Sequence, residues 1–191
     1  MNDQQKDFLS RVLITTPIEE TWPDFEDKVL FLGEWCKTYQ NKKKFKKYDY
    51  KIVPYHWDSQ EKFNIDYYKI NEIYEDLLIM LTDKLNTIHS CNHGNSYWRI
   101  IIGPWLGIFC QIIFDRWFCI KEAHEKFNIN KTILLNTGLE YKASNDFNEF
   151  IKHDICADLW NHQIYREIIL LINFKYEIIK KDLIYKYLYK D

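Results

Sequence analysis

Three segments of the chain set a carboxylate beside a tryptophan: TTPIEETW with Glu19, Glu20 and Trp22, GEWC with Glu34 and Trp35, and PYHWD with His56, Trp57 and Asp58. Carboxylates accept hydrogen bonds from sugar hydroxyls, and an indole face packs on the apolar C–H side of a pyranose while its N–H still donates. A carbohydrate or another polyhydroxylated ligand fits such a lining. The competing reading makes Trp22, Trp35 and Trp57 core aromatics and the nearby acids helix caps.

Two further clusters carry polar chemistry. Arg99 precedes a long apolar run, and Asp115 and Arg116 follow it, so they either pair structurally or reach an anionic group of a ligand. In the segment DLWNHQ, Trp160, Asn161 and His162 follow Asp158, and His162 is either a general base or a core hydrogen-bonding group. His89, Cys91 and His93 have spacings a metal could use, yet HSCNHG has the character of a helix end, and no metal site is expected. The five glycines stand too far apart for G-x-G-x-x-G or a P-loop, which argues against a Rossmann dehydrogenase or a P-loop kinase.

The elements that must position these residues follow from hydrophobic patterning. Residues 11–15 (RVLIT), 29–32 (VLFL), 51–53 (KIV) and 132–135 (TILL) read as short strands, apolar without alternation, as in a parallel sheet covered on both faces. The three tryptophan-and-acid segments each follow such a strand, where open α/β sheets bind their ligands. A helix is predicted from Asp58, as N-cap with Glu61 three residues on, to about His89, burying Ile70, Ile73, Tyr74, Leu77, Leu78, Leu81, Leu85 and Ile88 on one face. A second runs from about Ser96 to Ala123, apolar nearly all round, with Pro104 kinking it. Residues 145–174 read as one or two more helices. The expected fold class is α/β, a short parallel sheet flanked by long helices, as one domain over residues 1–175, with 176–191 an amphipathic Lys/Tyr-rich tail, last helix or linker.

Composition narrows the function. Among 191 residues, 47% are hydrophobic and 17% aromatic, which excludes a disordered chain. The net charge of −2 gives no basic field for nucleic acid. Five cysteines without a C-x-x-C pair suggest reduced thiols in a cytoplasmic protein, and the polar N-terminus is unlike a secretory signal. The uncharged run IIIGPWLGIFCQIIF, from Ile100 to Phe114, is short for a membrane span and is expected to be a buried core helix, with Gly103 and Gly107 serving close helix packing. The run KKKFKK, between Lys42 and Lys47, is a solvated loop or a peripheral contact with an anionic lipid or polymer.

Taken in order, LITTPIEETWP, VLFLGEWCKTY, VPYHWDSQEK, SYWRIIIGPWLGIFCQIIFDRW and FNEFIKHDICADLWNHQIY resemble the N-terminal region of a bacterial family of transferases of surface-carbohydrate biosynthesis loci, including O-antigen loci. The resemblance spans about residues 11 to 170; KHDIC, from Lys152 to Cys156, departs from the family pattern. It implies a glycosyltransferase-B-like protein of two domains, of which this chain is the N-terminal, Rossmann-like, acceptor-side half and looks truncated. The nucleotide-sugar donor would then bind in the missing half, with no cofactor in this chain. It places Glu19, Glu20 and His56 as candidate catalytic bases, and Glu34, Trp35, Trp57, Asp58, Arg99, Asp115, Arg116, Trp160, Asn161 and His162 as substrate-binding candidates. The expected partners are a carbohydrate acceptor and a C-terminal half or partner subunit. The alternatives are a non-catalytic binding or assembly subunit and an inactive remnant.

Overall fold

The computed structural model describes residues 7–136, 144–172 and 177–182, and these divide into two compact units. The first comprises residues up to 55 and from 117 onward, and the second residues 56–116.

The first unit is an α/β structure around a five-stranded, all-parallel sheet in the order β3-β2-β1-β4-β5. The strands are β1 (Asp7–Ile14), β2 (Val29–Phe31), β3 (Tyr50–Ile52), β4 (Phe127–Asn136) and β5 (Glu177–Asp182). This is a Rossmann-like arrangement, with its switch of strand order between β1 and β4. Val12, Leu13 and Ile14 of β1, all of β2, and Ile133, Leu134 and Leu135 of β4 are buried, so the unbroken apolar runs mark strands covered on both faces. The four strands expected from the sequence all form. Residues 177–182, expected to be tail, helix or linker, instead pair in register with β4 from Lys131↔Glu177 to Asn136↔Asp182. Their four charged residues of six suit an edge strand. Residues 176 and 183–191 of that tail lie outside the described residues.

Six shorter elements are found in this unit: α1 (Lys42–Phe45), α4 (Phe147–Lys152), α5 (Asp158–Ile172) and 3-10 turns at Glu19–Thr21, Glu34–Cys36 and Asp154–Cys156. Asp146 caps α4 through the Glu149 N–H at 2.8 Å, as an N-cap acid should. α5 buries Trp160, His162, Ile164, Tyr165, Ile168 and Ile169, a face with helical spacing.

The second unit holds α2 (Gln60–His89) and most of α3 (Asn95–Lys126). Both helices fall close to the expected bounds, but the N-cap of α2 is Ser59, whose hydroxyl accepts from the Lys62 N–H, not Asp58. α2 ends at Ser90, a non-glycine residue with φ of 51°. Beyond it Asn86 closes the turn: its Oδ1 accepts from the His93 N–H and from Trp98 Nε1, and its Nδ2 donates to the His93 carbonyl. The His93 and His89 rings pack on Tyr97 and Trp98.

The expectation that residues 100–114 form a buried core helix is corrected. Only 28% of the most apolar window of α3 is buried, and Ile100 is 78% exposed. On α2, Ile88 is exposed too. A two-helix unit gives each helix one neighbour, so an all-round apolar helix keeps an uncovered side. Among the described residues, α3 is the one helix long and apolar enough to cross a membrane by length and composition. The close-packing reading holds at Gly103, where an added Cβ would lie 2.7 Å from the Tyr74 hydroxyl.

Gly33 shows the sharpest steric constraint in the sheet unit. An added Cβ there would lie 2.2 Å from Trp35 Cζ3, because the indole lies across the glycine while its Nε1 donates to the Thr15 carbonyl at 3.1 Å. Gly33→Ala is expected to displace Trp35 and to destabilise the protein by about 1–3 kcal/mol, the range for a buried carbonyl losing its donor. Urea denaturation of a double-mutant cycle with Trp35→Ala checks this: the cost should largely vanish when the indole is already gone.

Candidate functional site

A cleft of about 550 Å³ opens in the sheet unit beyond the carboxyl end of β1. Pro17, Ile18 and Glu19 line it from the β1 side, Thr38 and Asn41 from the segment after β2, and Cys156 and Asp158 from the start of α5. This is where an open parallel sheet holds its ligands. Glu19 stands in the 3-10 turn that the chain enters once Pro17 ends the extended run. Asp158 occupies the first turn of α5, and Asn41 lies just before α1.

The polar lining is rich in acceptors. Glu19 is exposed and held by Lys44, Nζ to Oε2 at 3.2 Å. Asp158 makes no ion pair among the described residues, and burial raises its carboxyl above the usual range, a shift that makes it the stronger base. Asn41 is 3% exposed; its Nδ2 donates to the Cys36 carbonyl at 3.1 Å, which fixes the amide orientation and leaves Oδ1 as a buried acceptor without a hydrogen-bond partner among the described residues. No lysine or arginine among the described residues lines the cleft.

The tryptophans and histidine near these strand ends serve backbone satisfaction. Trp22 is buried, donates from Nε1 to the Thr16 carbonyl at 3.3 Å and packs edge-on against Phe31 and Tyr48. Trp35 is partly exposed, bonded to Thr15, with Tyr55 edge-on to it. The Cys36 thiol donates to the Ile14 carbonyl, and burial pushes its pKa up to about 12, so it stays protonated. His162, fully buried, accepts at Nε2 from the Leu135 N–H at 3.0 Å, which places its proton on Nδ1. Burial, with Arg166 adding to it, lowers its pKa to about 4, so it is neutral at pH 7.

The remaining sequence candidates distribute as follows. Glu20 is half-buried beside Glu19, and Glu34 is exposed and paired with Lys37 at 3.0 Å. Trp160 is buried edge-on to Phe150, and Asn161 Nδ2 donates to the Ile155 and Ala157 carbonyls. In the helical unit, Arg99 makes a bidentate pair with Glu75 at 2.7 and 2.5 Å. His56 and Asp115 are both buried and bonded to each other at 3.0 Å, Nε2 to Oδ1, and Arg116 pairs with the other Asp115 oxygen. Trp57 Nε1 donates to Asp66, while Asp58 is exposed. Asp158 and Asn41 were not among the sequence candidates. The signal for Asp158 was its place at a helix start, whereas Asn41, in the polar segment TYQNKKK, gave none.

His162 yields a pH prediction. Its folded pKa of about 4 lies below the ordinary histidine value, so between roughly pH 6.5 and 4 the unfolded chain binds the extra proton and stability falls with falling pH. Urea titrations from pH 7 to 4 should show that loss, and His162→Gln, which keeps an acceptor for Leu135, should flatten it by up to about 3 kcal/mol. An unchanged slope in the variant would place the loss elsewhere.

No curated protein and no solved structure shows a significant match. The family model described as LIC12162 family transferase matches residues 11–190, a span that takes in all of the cleft residues and nearly all of the sheet. The chain belongs to the LIC12162 family of transferases.

Proposed function

We propose that the chain is the acceptor-side part of a glycosyltransferase-like enzyme of bacterial surface-carbohydrate biosynthesis, of the O-antigen type, working in the cytoplasm with a nucleotide-sugar donor held by a further domain or partner. The observation that carries this reading is the lining of the β1 cleft: two carboxylates, a threonine and an orphaned buried amide oxygen, with no basic side chain among the described residues. A diphosphate would meet repulsion from Glu19 and Asp158, whereas a neutral polyol brings hydroxyl donors to each acceptor.

Within this reading Asp158 is the base that takes the proton of the attacking hydroxyl, and Glu19, held in place by Lys44, orients the acceptor. Glu20 is half-buried beside it, and His56, buried against Asp115 in the helical unit, is a structural group. A second reading, a non-catalytic binding or assembly subunit, is favoured by the exposed apolar side chains of the helical unit, among them Ile79, Met80, Ile88 and Ile100. Light scattering of the purified chain separates the two, because a stable partner-free monomer weighs against an assembly role.

The deciding experiment measures sugar transfer from labelled nucleotide-sugars to neutral glycan acceptors, with the partner domain supplied. Asp158→Asn should lower kcat by about 100-fold or more, the usual contribution of a general base, and Asn41→Leu should raise the acceptor KM. The wild-type rate should rise with pH through a carboxyl pKa above the ordinary value, since Asp158 is shifted upward. Unchanged turnover in Asp158→Asn, with folding intact, would overturn the assignment.

A further inference from the structure

The helical unit carries a second pocket, of about 460 Å³, that the cleft reading does not use. Trp57, Phe63, Tyr67 and Tyr74 supply its aromatic wall, and Asn71 and Gln111 its polar groups. Neither amide makes a side-chain hydrogen bond among the described residues, and no charged side chain lines the pocket. Its floor is the Gly103-Pro104 step and Gly107 of α3.

That floor is costly to keep in a helix. Proline removes one helical hydrogen bond, and an interior glycine costs about 1 kcal/mol relative to alanine. Packing accounts for Gly103, which lies under the Tyr74 hydroxyl. It does not account for Gly107, where an added Cβ would meet Tyr74 only at 3.8 Å, an ordinary contact. Gly107 leaves the floor open where packing alone would accept a side chain.

We propose that this pocket is a binding site for a neutral sugar ring, packed on the exposed Tyr67 and Phe63 and hydrogen-bonded by the Asn71 and Gln111 amides. An uncharged lining offers no countercharge to a phosphate or a carboxylate. An apolar chain would strip water from two amides and leave them unpaired. A flat base is best held between parallel rings, but Trp57 and Phe63 stand at 82°. A pyranose needs one aromatic face and donors and acceptors at its rim, which this pocket has. The pocket's lining shares no residue with the β1 cleft, and its assignment does not depend on the cleft's chemistry.

The test is saturation-transfer NMR on the full chain, with methyl glucoside, methyl mannoside and methyl N-acetylglucosaminide as probes and n-octanol and adenosine as competitors. At least one glycoside should bind, about tenfold or more weaker in Tyr67→Ala and in Asn71→Leu. Binding should persist in Gly107→Ala, be lost in Gly107→Leu, and stay unchanged in Asp158→Asn. The two surface substitutions keep the test decisive if Gly107→Leu fails to fold. Absence of glycoside binding, binding indifferent to Tyr67 and Asn71, or preferential capture of octanol or adenosine would each overturn the proposal. A failure here leaves the cleft reading standing, since that one is decided by turnover in Asp158→Asn.

Discussion

The carbonyls at the carboxyl end of β1 are the constraint around which the sheet unit is organised. A central strand of a parallel sheet must end somewhere, and buried carbonyls beyond the last ladder bond need donors. Here the Leu13 carbonyl takes the Thr132 hydroxyl, Ile14 takes the Leu32 N–H and the Cys36 thiol, Thr15 takes the Trp35 indole, and Thr16 takes the Trp22 indole. On the other side of the switch, the Leu135 N–H is met by the His162 imidazole. The donors come from β4, from the turns after β1 and β2 and from α5, so closing the strand end also fixes those turns and the seating of α5. The cleft inherits its shape from that closure.

The helical unit solves a related problem with charges. Asp66 and Asp115 are buried, and a buried carboxylate is tolerated only when paired and hydrogen-bonded. Asp66 accepts from Trp57 Nε1 at 3.0 Å and from Lys62 at 2.5 Å, while Asp115 meets His56 and Arg116. His56 lies between the two acids, 3.9 Å from Asp66 through Nδ1. Trp57, stacked on Phe114 at an 11° interplanar angle, closes this network on one side.

Much of the fold was legible in the sequence because its signals are local. Unbroken runs such as VLFL have no reading as a solvated face, and the helices announce themselves by spacing. The failures lie where a residue's role depends on a distant neighbour. The bonds from the Trp22 and Trp35 indoles to the Thr16 and Thr15 carbonyls were not legible, because donor and acceptor meet only in the fold. Burial of residues 100–114 could not be judged from their own apolarity, since a helix with one neighbour and a helix in a core have the same composition. β5 was missed because an edge strand of mixed charge resembles an amphipathic tail. Asn41 carries no pattern at all; its orphaned oxygen is a product of the fold.

The same dependence on neighbours separates the two carboxylates of the cleft. Glu19 and Asp158 are alike in a sequence, each an acid at the start of a short helical turn. Lys44, one residue of a lysine run that composition alone would assign to solvent, reaches Glu19 and holds it as an ion pair. Asp158, though exposed, has no such partner among the described residues, and desolvation raises its proton affinity. One acid is thereby held by a partner, and the other is left without one among the described residues. Two carboxylates with opposed environments can divide orientation and proton transfer between them. The lysine run is therefore part of the site's chemistry, through the one side chain that selects which acid stays reactive.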